Sequence, residues 1–590
     1  MIQVAFKLSL VLLVSFQGAV LAVRAQGGES NAGARDGVIT GRVTSTGGDL
    51  PNTTTVYVSA SGAAAPPRST IVNSDGTFKM DDLEIGVYRV WASSPGFVAD
   101  APVGTDPRGF IHTGEAANLR LKKGGVITGT VLNSSNAPVI GVNVRAFRIR
   151  DESGKPIEAM ISSANERFTD DRGVYRIYGL SPGTYIVAAG GISRFYGGFS
   201  STGYDQDVPT YAPSSTRDTA MEVTIRSGEE ATADIQYRGE PGHAISGSVS
   251  GIPQPAGPAT FASATINITE VKSKTIVMNV VASMVNDYAF AVYGVPDGEY
   301  ELVAQSFSPS RDSRASDAKR IKVQGADVTG VNLNVALLPV INGRVVLDSA
   351  FAADCVRRRE TALQETIVFA RREKQAAKST DSKATANQVP LMFADQIADA
   401  VPDAKGEFTL RNLHAGNYRL TITLPTPSWY LKSLTLGANP RTVDARVVSE
   451  GVSLYNQTVS GLTVTISEGA ASVRGTVVTD EGKAVRDRLL VYLMPAEKES
   501  ASNLFRYFET RSEPDGRFEL LNIPPGEYLA AATSIEEDRP PGFLIRQDSN
   551  LRAKVVRDAQ KSNQTITLKP CERIENFEIP IGASSTNKSQ

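Results

Sequence analysis

The chain is 590 residues long and carries 61 basic against 63 acidic side chains, for a net charge of −2. Because nucleic-acid binding needs a basic surface, this balance argues against a nucleic-acid partner. The supply of 51 glycines and 31 prolines suits turn-rich β domains, and the length allows about four or five of them.

Residues 1–25 are predicted to be a secretory signal peptide. Lys7 precedes an apolar run over residues 8–23, and Ala25 lies at a small-residue cleavage site. An uncleaved membrane anchor is the alternative, because the run nearly reaches the length of a bilayer span. No later stretch is that apolar, so we expect a secreted, periplasmic or cell-surface protein without a membrane span once the signal is removed. A flexible leader is expected over residues 26–36.

The rest of the chain is dominated by a pattern that occurs five times without slippage, which marks an internal repeat. An aromatic residue is followed five positions later by a branched aliphatic one, then by a glycine and a tyrosine. In the best-preserved copy these residues are Phe518, Ile523, Gly526 and Tyr528. The other copies are Phe78, Leu83, Gly86, Tyr88; Tyr175, Leu180, Gly183, Tyr185; Phe290, Val295, Gly298, Tyr300; and Phe408, Leu413, Gly416, Tyr418.

Each copy predicts two strands joined by a tight turn, and a Gly-x-Val strand start lies upstream of each. Between these landmarks, apolar and polar residues alternate with a period of two, which indicates half-buried strands. Five to seven short strands in each unit of about 100 residues predict an antiparallel β-sandwich. The fold class is therefore an all-β tandem array of about five sandwich modules. The Gly-x-Val glycines are Gly41, Gly129, Gly247, Gly343 and Gly475.

The spacing of the copies sets the expected boundaries. Unit 3 is the most degenerate copy, and unit 4 carries an insertion. The expected units are residues 37–123, 124–239, 240–338, 339–469 and 470–582, followed by a polar tail over residues 583–590.

The fifth unit also supplies a family resemblance. Its segments Gly475-Thr476-Val477, Asp515-Gly516-Arg517-Phe518 and Pro525-Gly526-Glu527-Tyr528 resemble the carboxypeptidase regulatory-like domain. The resemblance implies a transthyretin-like, or carbohydrate-binding-like, sandwich fold, and tandem copies look like secreted bacterial proteins built of such repeats. In metallocarboxypeptidases this domain accompanies a catalytic domain, for which the chain has no room.

One set of residues could hold a catalytic zinc ion. His112, Glu115 and the distant His243 resemble the ligand set of metallocarboxypeptidases, and their donor types suit Zn²⁺. However, these positions are variable sites of the repeat, as is the remaining histidine, His414. We therefore expect no metal, no cofactor and no enzymatic activity.

A long loop of unit 2 is the best candidate for ligand recognition. Aromatic residues amid glycine and serine suggest either recognition or packing of the loop onto its own module. The two tryptophans, Trp91 and Trp429, lie at different offsets from the repeated tyrosines and predict no repeated sugar-binding platform. The candidate ligand-binding residues are Phe195, Tyr196, Phe199, Tyr204 and Tyr211.

The chain has two cysteines, Cys355 in unit 4 and Cys571 near its C-terminal end. In an oxidising compartment they could form a disulfide bond, and two free buried thiols are the alternative.

The sequence thus favours a secreted, non-catalytic modular scaffold or adhesion-type protein. Polysaccharide or a cell-surface protein is the expected partner. A carbohydrate-binding protein that uses the aromatic loop of unit 2 is the first alternative, and a metallocarboxypeptidase is the second.

Overall fold

The structure is a computed structural model that describes most of the chain between Gly37 and Ile581. The predicted signal peptide, leader and polar tail lie outside the described residues. The described ranges are residues 37–60, 66–100, 110–157, 166–191, 203–253, 263–307, 313–348, 362–373, 397–437, 447, 451–455, 457–479, 481–485, 489–534, 545–562 and 564–581.

The described chain folds into sheets that group into five units, which confirms the all-β tandem prediction. In each unit, one sheet contains the Gly-x-Val strand and the strand of the repeated aromatic residue; we call it the first sheet. The second sheet contains the strand that begins after the turn and carries the repeated tyrosine. The two sheets enclose an apolar core in each unit.

Unit 1 illustrates the arrangement. Its first sheet has the strand order β4-β1-β8-β6, and its second sheet has the order β3-β2-β5-β7. The strands are β1 (Gly37–Thr46), β2 (Thr55–Ala60), β3 (Arg68–Ile71), β4 (Thr77–Leu83), β5 (Val87–Ser93), β6 (Phe97–Ala99), β7 (Phe110–His112) and β8 (Ala116–Lys123).

Unit 2 repeats this plan. Its first sheet contains β12-β9-β16 with β17 also on β9, and its second sheet contains β11-β10-β13-β14 with β15 also on β13. The strands are β9 (Gly125–Leu132), β10 (Asn143–Arg150), β11 (Glu166–Phe168), β12 (Val174–Leu180), β13 (Gly183–Ala189), β14 (Thr210–Tyr211), β15 (Val223–Ile225), β16 (Glu230–Thr232) and β17 (Ile235–Gln236).

Unit 3 differs, because one strand joins its two sheets. β23 pairs with both β22 and β25, so the unit forms a single sheet of eight strands. The strands are β18 (His243–Ser250), β19 (Ser263–Glu270), β20 (Thr275–Ser283), β21 (Ala289–Val295), β22 (Gly298–Phe307), β23 (Ser313–Ser316), β24 (Lys319–Val323) and β25 (Val328–Leu337).

Units 4 and 5 return to two sheets. The orders are β29-β26-β33-β31 and β28-β27-β30-β32 in unit 4, and β37-β34-β40 and β36-β35-β38-β39 in unit 5. The strands of unit 4 are β26 (Ile341–Leu347), β27 (Ile367–Arg372), β28 (Ile397–Ala400), β29 (Glu407–Leu410), β30 (Gly416–Thr423), β31 (Trp429–Leu436), β32 (Val452–Leu454) and β33 (Val459–Glu468). Those of unit 5 are β34 (Ala471–Val478), β35 (Leu489–Pro495), β36 (Phe508–Arg511), β37 (Arg517–Ile523), β38 (Gly526–Ser534), β39 (Thr565–Leu568) and β40 (Arg573–Pro580).

Antiparallel pairs dominate, as expected, but each Gly-x-Val strand also has a parallel neighbour, and β9 of unit 2 has two, β16 and β17. The chain returns beside the first strand at the end of each unit, so that β1 pairs with β8 in parallel and β34 pairs with β40 in the same way. A parallel pair needs a long crossover connection, and here the other strands of the unit form that connection.

The repeated residues meet in a contact between one glycine and one aromatic ring. In unit 5, Gly475 is the direct cross-strand partner of Phe518. A Cβ atom on Gly475 would lie 2.8 Å from the Phe518 ring and would collide with the carbonyl oxygen of Phe577 on the parallel neighbour. The glycine therefore makes room for the ring. The equivalent pairs are Gly41 and Phe78, Gly129 and Tyr175, Gly247 and Phe290, and Gly343 and Phe408.

The repeated tyrosines form a second common contact. Each of the five is buried and donates its hydroxyl to the backbone carbonyl four residues upstream, so it fixes the turn between the two sheets. In unit 5 this bond joins Tyr528 to Pro524 at 2.7 Å. Burial raises the pKa of Tyr528 to about 12, so its hydroxyl remains a donor at neutral pH. The bonds resemble the tyrosine corner of other sandwiches.

An α-helix of 14 residues, α1 (Ser549–Ser562), lies between β38 and β39 of unit 5. Asp548 caps its first turn by accepting the backbone N–H of Leu551 at 3.0 Å. Leu551, Val555 and Ala559 recur at every fourth position, as one face of a helix requires, and they pack against the second sheet of unit 5. Among the helices of the described ranges, none is long and apolar enough to cross a membrane.

We predict that Gly475→Ala lowers the stability of unit 5 by about 3 kcal/mol, because the new methyl group collides with the carbonyl oxygen of Phe577 and crowds the Phe518 ring. Gly203→Ala is the matched control, since a Cβ there meets nothing within 4 Å. Differential scanning calorimetry of both variants measures the effect. A Gly475→Ala protein that unfolds like the parent would contradict the packing role of the glycine.

Candidate functional site

The outer face of each second sheet is the face that points away from the core of its unit. The units differ from one another on these outer faces. Side chains alternate between the two faces of a strand, so residues next to core positions point away from the core. In β10, Val144 and Ala146 belong to the core of unit 2, and Phe147 lies on the outer face. Features outside the shared repeat are therefore expected on the outer faces.

In unit 2 the outer face is covered by the part of the predicted recognition loop that contains Tyr211. Tyr211 is buried there, and its ring lies 6.2 Å from that of Phe147. Tyr204 packs partly buried against the core, edge-on to Tyr237 at 5.6 Å. Both residues have packing contacts, whereas the candidate ligand-binding residues Phe195, Tyr196 and Phe199 lie outside the described residues.

The base of the recognition loop contains a charged residue that the sequence did not single out. Arg145 is 2% exposed, and its guanidinium donates to the carbonyl of Gly190 at 2.8 Å. Burial lowers the pKa of this guanidinium. The backbone N–H of Gly191 donates to the carbonyl of Tyr204 at 3.2 Å, so the two ends of the loop are joined at its base. Alternation in β10 alone could not reveal that both of its faces are covered.

The outer faces of units 1 and 4 pack on one another. Val87 and Phe110 of unit 1 form an apolar cluster with Ile367, Phe369 and Val401 of unit 4. The rings of Phe110 and Phe369 meet edge-on with centroids 5.6 Å apart. We call this contact the 1–4 junction. It joins units that are far apart in the sequence, so the five units do not form a simple linear string.

Charged groups border the 1–4 junction. Arg89 of unit 1 lies over the Phe110 ring and 3.8 Å from the carboxylate of Asp399 in unit 4. Arg89 is half exposed, so this ion pair contributes little to stability. The apolar cluster is therefore the main source of the attraction between the two units.

His112 connects the two units at the junction. Its Nε2 donates to the carbonyl of Glu365 in unit 4 at 3.0 Å, and its Nδ1 lies 3.3 Å from the carboxylate of Glu115. Both nitrogens can donate only when the ring is protonated. Burial lowers the pKa of His112, but the hydrogen bonds and charges of Glu115 and Glu365 outweigh it, and the net pKa is raised.

The other two histidines have separate surroundings. His243 lies 3.3 Å from the carboxylate of Asp297 in unit 3. His414 is buried in the turn of unit 4, where burial and the positive charge of Arg372 lower its pKa to about 4. Within the described ranges, no group of three or more histidine, cysteine or acidic residues could hold a metal ion. The residues His112, Glu115 and His243 do not come together as a zinc site there.

A pair of aromatic residues that the sequence did not predict as a site lies on the outer face of unit 1. Tyr57 and Trp91 are direct cross-strand partners, and their rings stack with centroids 5.5 Å apart and an interplanar angle of 13°. Both side chains are partly exposed. The two residues are distant in sequence and lie on different strands, so only the strand register could have revealed the pair.

Of the two cysteines, Cys571 is disulfide-bonded in the structure. Cys355, its predicted partner, lies outside the described residues. The pairing of these two residues stays a prediction.

Because the folded-state pKa of His112 is above the ordinary value of 6.5, its contribution to stability is complete below pH 6.5. The contribution is lost as the pH rises through the folded-state pKa. We predict that calorimetry shows this loss between slightly acidic and alkaline pH, and that His112→Gln removes it. His243→Gln is the control and should keep it. An identical pH profile for His112→Gln and the parent would contradict the assignment.

Comparisons with known proteins yield structural neighbours alone. No family model and no curated protein matches the chain. The Bacillus anthracis TIE protein is 16% identical with a TM-score of 0.14, and the match covers 51% of each chain, so this chain spans about half of that protein. The minor pilin GBS52 of Streptococcus agalactiae is 14% identical over 38% of this chain and 100% of its own, with a TM-score of 0.18.

A Bacteroides thetaiotaomicron protein proposed to bind polysaccharide is 9% identical over 41% of this chain and 94% of its own, with a TM-score of 0.18. Such low scores assign this chain to none of these proteins. The sheets and cores described above establish that the chain is a tandem β-sandwich protein.

Proposed function

We propose that this chain is a secreted or cell-surface scaffold of carboxypeptidase regulatory-like modules that has no catalytic role. The 1–4 junction is the observation that supports the proposal most directly. An interface between two units gives the array a defined shape, which a scaffold needs in order to hold binding surfaces at fixed positions. The partner would be a polysaccharide or a cell-surface protein.

The positions of the histidines favour a scaffold over a metallopeptidase. A catalytic zinc ion needs several neutral imidazole or carboxylate ligands and one open position. The raised pKa of His112 means that a metal ion would have to displace a more tightly held proton from this ring. Its Nε2 is also engaged with the carbonyl of Glu365.

The proposal predicts that Phe369→Asp separates units 1 and 4, because a buried carboxylate without a partner is costly in an apolar cluster. Sedimentation velocity should show a lower sedimentation coefficient, and limited proteolysis should cut faster between the units. Val281→Asp, at a residue that is 55% exposed, is the control and should change neither measurement. An unchanged sedimentation coefficient for a folded Phe369→Asp protein would count against the scaffold.

A second candidate function is carbohydrate binding by the aromatic loop of unit 2. The closed base at Gly191 and Tyr204 supports it, since it anchors both ends of a loop that contains Phe195, Tyr196 and Phe199. A loop anchored in this way is a common location for binding residues.

If the loop of unit 2 is the binding site, residues 26–590 are retained on immobilised polysaccharides, and changing Phe195, Tyr196 and Phe199 together to alanine abolishes retention. Because these residues are not part of the repeated core contacts, circular dichroism should show that the variant remains folded. Retention shared by both proteins would place the binding site elsewhere in the chain.

A further inference from the structure

The Tyr57 and Trp91 pair has no role in the core of unit 1. The core of this unit is formed by residues that include Val56, Val58 and Val90, the immediate neighbours of the pair along the two strands. Alternation along β2 and β5 therefore directs the two rings to the outer face. Each ring has one face on its partner and the other face turned away from it.

The neighbours of the pair carry hydroxyl groups. Tyr57 pairs with Ser69 on β3, and Thr55 pairs with Ser93 on β5. Ser69 and Ser93 are exposed, and Thr55 is partly exposed. The surface thus combines a rigid aromatic pair with neutral hydrogen-bonding groups on a sheet. In contrast, the described contact between units 1 and 4 consists of Phe110, Phe369 and aliphatic side chains.

We propose that this surface, formed by Tyr57, Trp91, Thr55, Ser69 and Ser93, binds a neutral polysaccharide chain. Aromatic rings offer flat apolar faces to the carbon–hydrogen faces of sugar rings, and hydroxyl groups exchange hydrogen bonds with sugar hydroxyls. Tyrosine and tryptophan supply such contact area at a low cost in conformational entropy.

The surface is continuous with an established interface, which favours an extended ligand. The outer face of unit 1 carries the aromatic pair at one side and the 1–4 junction at the other, with Arg89 between them on β5. A polysaccharide chain on the pair can therefore extend towards Arg89 and Asp399 of unit 4. This inference rests on the proposed role as a non-catalytic scaffold and assigns it a ligand class.

Fluorescence provides a direct test, because the chain contains two tryptophans. Trp429 is 3% exposed in the core of unit 4, so a ligand on the surface changes the emission of Trp91 alone. Residues 26–590 are titrated with soluble glucans and xylans. We expect an emission change that Trp429→Phe retains and Trp91→Phe loses.

Affinity electrophoresis in the same polysaccharides then measures the contribution of each ring. We expect Trp91→Ala and Tyr57→Ala each to weaken binding about tenfold, as the loss of one stacking contact would. Tyr455→Ala removes an aromatic side chain that is 72% exposed in unit 4 and should leave binding unchanged.

The outcomes separate this inference from the other proposals. Binding that survives Trp91→Ala and Tyr57→Ala but is lost with the loop variant of unit 2 would overturn the surface and support the loop. A lack of binding to every glycan would overturn both the Tyr57 and Trp91 surface and the loop of unit 2 as binding sites. The scaffold proposal would still stand or fall separately, by the sedimentation test of the 1–4 junction. A parent protein that is a dimer and becomes a monomer with Trp91→Ala would show that a second copy covers this surface, which also overturns the inference.

Discussion

The bare glycine of each Gly-x-Val strand is the constraint on which the five units depend. A Cβ atom there would collide with a neighbouring backbone carbonyl oxygen and, in units 1, 2, 4 and 5, would also crowd the repeated aromatic ring. Gly475 shows its physical basis, because a Cβ atom there would lie 1.8 Å from the carbonyl oxygen of Phe577 and 2.8 Å from the ring of Phe518. The contact fixes which faces of the Gly-x-Val strand and of its partner point into the core, since a register slip of one residue would turn the ring outward. The tyrosine ten positions after the aromatic residue then fixes the turn into the second sheet.

Because the repeat determines the inner faces, the outer faces of the second sheets are free to differ. Unit 2 covers this face with its own chain around Tyr211, and unit 5 covers it with α1. Units 1 and 4 cover part of their faces with each other. The remaining part of the face of unit 1 displays Tyr57 and Trp91. The function that we propose is therefore located on surfaces that the repeat does not specify.

The fold could be predicted from the sequence because its signals are local and occur five times. The parallel strand pairs, the eight-stranded sheet of unit 3 and α1 were not predicted, since they depend on pairing between distant segments or on a single weak pattern. The contact of His112 with Glu365 shows most clearly what the sequence alone could not predict, because the two residues are 253 positions apart. Likewise, the pairing of Trp91 with Tyr57 could not be predicted, because it depends on the register between β2 and β5.

Small-angle X-ray scattering of residues 26–590 tests most directly the claim that units 1 and 4 are in contact, so that the five units do not form a linear string. With units 1 and 4 in contact, the radius of gyration should be below about 35 Å, since a fully compact chain of this length gives roughly 25 Å. A linear string of five modules would give roughly 50 Å. The smaller value is the result that the 1–4 junction predicts, and the larger value would contradict it.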